Sequence, residues 1–141
     1  MLIDFQEQPP STDVSGDLQV MNCDRLLILV EDIGQATTLR VIERSKIDFY
    51  NNLLELSNAN QVQDYNALRI ALHSIAGIAA MFGAEKLHSI AQRAEEKCLQ
   101  SDFVMASRYA NGVAPAVLEY FAELEKFEFD FFCVRTQSFD G

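Results

Sequence analysis

Between Asp24 and Leu124 the apolar residues return at intervals of three and four, which places them along one face of an α-helix. A short segment, Asp24 to Glu31, opens on an acidic residue suited to a helix N-terminus and meets a breaker at Asp32 to Gly34. A longer helix is predicted from about Thr37 to Leu56, where Leu39, Ile42, Phe49, Tyr50, Leu53, Leu54 and Leu56 recur without Gly or Pro. The Asn- and Gln-rich stretch Ser57 to Gln63 reads as the turn after it. A third helix from about Asp64 carries the seam Leu68, Leu72, Ile75, Ala79 and Phe82 and stops before Gly83, which takes left-handed geometry at low cost. A fourth, Ala84 to Leu99, turns inward Leu87, Ile90, Ala91, Ala94 and Cys98; Ser101 or Asp102 then caps the next element. The last helical region starts near Phe103, is broken or kinked by Gly112 and Pro115, and resumes through Val117, Phe121 and Leu124. Phe127 to Phe132 alternates apolar and acidic residues at first, but Phe127 and Phe131 continue the seam, and helix is preferred.

Short loops make sequential helices antiparallel neighbours, so the expected fold is all-α: an antiparallel four-helix bundle core with a short extra N-terminal helix. Residues 1–20, with the cluster PPSTDVSGD, read as a flexible leader, residues 21–134 as the bundle and residues 135–141 as a frayed tail. A chain of 141 residues that is 49% hydrophobic and 23% charged suits one globular core, with ten Phe and no Trp supplying much of its aromatic packing.

Charge narrows the partners. The net charge of −10 repels phosphate backbones and anionic headgroups, so neither nucleic acid nor a membrane surface is expected. No stretch approaches the ~18 apolar residues that span a bilayer, and Met1 to Gln8 lacks the basic start of a secretory signal. Cys23, Cys98 and Cys133 are odd in number and far apart, without ligand spacing, against a disulfide framework or a metal site. A cytoplasmic protein is expected.

Few residues offer chemistry. No Ser-His or Cys-His pair suggests an activated nucleophile, and Gly77 and Gly83, in AGIAAMFG, lack the Lys-Ser or Lys-Thr of a nucleotide-binding loop. His73 stands out: it flanks the seam of the third helix, and its neighbours on that face are Asn66, Arg69, Ile70, Ala76, Gly77 and Ala80. A glycine inside a helix costs roughly 1 kcal/mol against alanine, so Gly77 asks for a reason. One reason is room for a partner's active site to approach the imidazole. The other is a half-buried bundle histidine, with Gly77 at a close helix-helix contact. Exposure of the imidazole separates the two. His88, near Glu85 and Glu95 in sequence, reads as a surface or boundary residue.

The run His73-Ser74-Ile75-Ala76-Gly77, followed by Ala79, Gly83-Ala84 and Leu87, resembles the signature of histidine-containing phosphotransfer domains, usually His-x-Leu-Lys-Gly, then small residues, a Gly and a Leu. With the helix order around it, the resemblance extends over roughly Cys23 to Leu124. It implies that His73 accepts a phosphoryl group from a receiver aspartate and passes it to another receiver, with Gly77 as the clearance glycine. The implied partners are receiver domains of response regulators and hybrid histidine kinases. The chain would then be a monomeric, stoichiometric carrier rather than an enzyme, with magnesium supplied by the receiver and no cofactor of its own. A neutral imidazole attacks phosphorus without a separate base. Two departures stand out. Ala76 occupies the usual lysine position, so a cation expected on the phosphoryl oxygens is missing, and Arg69, one turn before His73, is the candidate replacement. Ile78 replaces a position often small and polar. The alternative is a transfer-deficient module that kept the fold and docks on a kinase or receiver to inhibit or scaffold it.

Overall fold

The structure is a computed structural model, and residues 18–128 and 130 are described. It contains six helices among these residues: α1 (Cys23–Ile33), α2 (Gln35–Val62), α3 (Tyr65–Met81), α4 (Glu85–Leu99), α5 (Phe103–Ala110) and α6 (Val113–Phe127). Helices α2, α3 and α4 form three members of an antiparallel four-helix core, α5 and α6 together supply the fourth, and α1 is the short extra helix. The leader over residues 1–17, the tail over 135–141 and the helical expectation for 129, 131 and 132 lie outside the described residues.

The seams expected for α3 and α4 are the ones buried: Leu68, Leu72, Ile75, Ala79 and Phe82 on one, Leu87, Ile90, Ala91, Ala94 and Cys98 on the other. Aspartates open two helices from the side, as Asp64 accepts from the Ala67 N–H (3.1 Å) and Asp102 from the Met105 N–H (3.3 Å), each satisfying an amide that the first turn leaves unpaired. Asp102, not Ser101, is therefore the cap of α5. The break between α5 and α6 falls at Asn111–Gly112. Pro115 does not kink α6: it sits in the first turn, where its missing N–H has no helical partner to lose.

Two expectations need correction. The turn placed at Ser57 to Gln63 is helix as far as Val62. Polar composition suggested a turn, but Ala59 is buried one turn after Leu56, and Asn60 is tied to the far side of the bundle: its Nδ2 donates to Asn111 Oδ1 (3.1 Å) and its Oδ1 accepts from Ser107 Oγ (2.8 Å). Tertiary contacts outweigh weak propensity here. The bundle also reaches further back than Met21, since Leu18 and Val20 pack half-buried on the core and the Lys86 N–H donates to Gln19 O (3.2 Å).

Helices α2, α3 and α4 end alike, each with one left-handed residue, Gln63, Gly83 and Ser101, and an amide reaching back to an orphan carbonyl: Asp64 N to Ala59 O, Ala84 N to Ala79 O, Asp102 N to Lys97 O, all at 2.9 Å. Only the middle one needs glycine. A Cβ at Gly83 would stand 2.7 Å from the Asn22 carbonyl oxygen, and the Asn22 N–H donates to Gly83 O (2.7 Å). Buried Tyr120 of α6 donates its hydroxyl to Phe82 O (2.8 Å), so three parts of the chain meet at the α3–α4 turn.

Candidate functional site

Burial of Leu72 and Ile75 fixes the rotation of α3, and that rotation turns His73, Gly77 and Ala80 to solvent. The His73 side chain is 75% exposed, so it is not a half-buried bundle histidine. Its Nδ1 lies 2.9 Å from Oε2 of Glu95 on α4, whose own side chain is only 15% exposed. A carboxylate only accepts, so Nδ1 carries the proton, and in the neutral ring the lone pair is on Nε2. Nε2 has no hydrogen-bond partner among the described residues. The ring is anchored on one side and open on the other.

A Cβ added at Gly77 would meet no atom within 4 Å. The close helix-helix contact weighed from the sequence is therefore absent, and Gly77 has no packing reason among the described residues. It opens onto a groove of about 660 Å³ between α2 and α3, whose α3 wall includes His73, Gly77, Ile78 and Met81 and whose α2 wall includes Val41, Arg44, Asp48 and Asn52. Ile78 and Met81 add apolar surface to the α3 wall.

The expected site residues divide. His73, Gly77 and Ala80 share the exposed face. Ala76 is buried against α4, and its carbonyl lies 3.0 Å from Nδ1 of His88, so it is not part of that face. Arg69 sits at the α4 edge: its Nη2 donates to Asn66 Oδ1 (3.4 Å). Burial pushes the Cys98 thiol up from its usual range, Arg69 opposes this and Glu95 adds to it, which puts both charges near one point of α4.

Glu95, near His88 in sequence, pairs with His73. The signal was the turn: His73 lies ten residues before Gly83 and Glu95 twelve after, so antiparallel helices bring them level. The α2 wall had no such signal.

The fold and this face define a class, a helical bundle with one imidazole exposed beside an open groove and anchored from the next helix. The family model of the Hpt domain matches residues 23–126, and the chain belongs to that family of histidine phosphotransfer modules of two-component phosphorelays. Searches of curated proteins and of solved structures gave no match. Hpt domains are phosphocarrier modules that interact with receiver domains of response regulators and kinases. No helix among the described residues is long and apolar enough to cross a membrane.

Proposed function

We propose that His73 is the phosphoryl acceptor and that the chain carries the group from one receiver aspartate to another as a monomeric cytoplasmic carrier, without a cofactor of its own. The observation that carries this reading is the clear space over Gly77 beside an exposed, anchored imidazole. Helical glycine is costly, and open space there serves an approaching partner rather than this chain's own packing. The net charge of −10 points the same way, away from nucleic acid and lipid.

The step is an in-line displacement. Nε2 of His73 attacks the phosphorus of the receiver's acyl phosphate, the N–P bond forms as the P–O bond to the aspartate breaks, and the carboxylate leaves. Positive charge grows on the ring as the lone pair is used. Glu95, accepting from Nδ1–H, stabilises that charge and holds the ring angle. Arg69 is the nearer candidate, on this helix, for the cation that position 76 lacks. Transfer to the second receiver reverses the same steps.

The test is phosphoryl transfer from a panel of purified, phosphorylated receiver domains. Acid-labile, base-stable label is expected on the wild type and none on His73→Gln. Equal labelling of the two would end the assignment. Receiver binding by both, with no label on the wild type, would instead favour the docking module, for which the uncharged Ala76 is the supporting observation.

A further inference from the structure

Among the residues lining the α2–α3 groove, Arg44 is the only arginine or lysine. Its side chain is 74% exposed, and its Nε donates to Oδ1 of Asp48 at 3.2 Å, one turn on. Both of its Nη groups are without a partner among the described residues. The acidic groups nearby are Asp48 on the same wall and Glu95 behind His73, in a chain of net charge −10. A partner that brings an aspartate to His73 brings negative charge to a negative surface.

The reach of Arg44 decides what it can do there. Arg44 lies nineteen residues before Gln63 and His73 nine after Asp64, so the two differ in height by roughly 15 Å at 1.5 Å per residue. A guanidinium on a side chain about half that long does not reach a phosphoryl group on Nε2, and salt screens most of the rest. Arg44 therefore stands beyond the transferred group, on the far part of the groove, past Gly77. Its free fork suits a carboxylate, which it binds through two parallel N–H donors.

We propose that Arg44 is the docking cation of this carrier: its Nη groups bind a surface carboxylate of the receiver in the groove past Gly77, while Asp48 holds its Nε. The inference rests on the reading of His73 as the acceptor. Arg44 acts on binding and partner choice, not on the bond-making step.

The receiver that labels His73 fastest in the panel serves as the probe, used unphosphorylated so that no phosphoryl oxygens are present. Its binding to Arg44→Ala is expected to weaken about fivefold to tenfold at low salt, with the difference shrinking as salt rises. Arg44→Lys should keep part of the affinity. Arg40→Ala, which removes the same charge from the same helix outside the groove, should weaken binding less than twofold. The saturated rate of transfer should stay within about twofold of wild type in Arg44→Ala, because KM rather than kcat carries the effect. Equal losses for Arg40→Ala and Arg44→Ala would reduce the effect to net charge and overturn the proposal. A loss confined to the saturated rate would overturn it too, by assigning Arg44 to the phosphoryl group. Unchanged binding by Arg44→Ala, with His73 still labelled, would defeat this inference alone, whereas an unlabelled wild type defeats the reading beneath it.

Discussion

Gly77 and Gly83 lie six residues apart at the same end of α3 and are glycine for opposite reasons. Gly83 is hemmed in: its φ is +75° and a Cβ would press on the Asn22 carbonyl. Gly77 is helical, and its Cβ would enter open space. One end of the helix is built to hold the bundle together, while the stretch beside His73 gives up helix stability for something the bundle does not need. The proposed transfer reading gives that cost a use, open space for a partner beside His73.

The largest effect expected from breaking this comparison is at Gly83. Gly83→Ala adds left-handed strain and a backbone collision, and should lower unfolding stability by about 3 kcal/mol in urea denaturation. A loss under ~1 kcal/mol would mean the turn relaxes freely. Tyr120→Phe removes the hydroxyl bond to Phe82 at the same turn and should cost about 1–1.5 kcal/mol at neutral pH. Burial, with a smaller contribution from Glu128, pushes the Tyr120 hydroxyl well above the usual tyrosine value of 10.0. The folded protein thus keeps this proton after an unfolded tyrosine has released it. Stability from this group is full below pH 10 and is lost as pH rises above it. The alkaline fall should be shallower in Tyr120→Phe.

On the other side of the comparison the losses should appear in transfer. Glu95→Gln keeps an acceptor for Nδ1–H but removes the charge, and about a tenfold slower labelling of His73 is expected, with unfolding stability changed by less than about 1 kcal/mol. Gly77→Ala should stabilise the protein by up to about 1 kcal/mol and slow transfer severalfold. If that variant is more stable and transfers as fast as wild type, the clearance argument fails.

Much of this was legible in the chain, and the reasons differ by region. The buried seams of α3 and α4 were readable because periodicity records rotation about a helix axis, and that rotation also turned His73 outward. Gly83 was readable because the end of a helix has its own chemistry. The end of α2 was not: Ser57 to Gln63 has the composition of a turn, and only the burial of Ala59 and the cross-bundle bonds of Asn60 keep it helical. Pairing across helices was the least visible. Glu95 was visible only as a neighbour of His88 in sequence, its pairing with His73 appears only across α3 and α4, and the groove with Arg44 exists only once α2 and α3 are packed. Likewise, Ala76 belonged to the motif by spacing but faces α4 by rotation.

The α3–α4 turn also bears on how the chain folds. Helices joined by two- or three-residue turns pair with their neighbours in sequence, so α2, α3 and α4 can assemble through short loops, the condition for fast folding. The bonds that bring Asn22 and Tyr120 to this turn span 61 and 38 residues and close long loops. Being long-range, they are expected to form after the barrier, when α1 and α6 dock on the pairing of α2, α3 and α4. The instability of Gly83→Ala should therefore show as faster unfolding rather than slower folding, with the turn acting as the latch that sets how long the folded protein lasts.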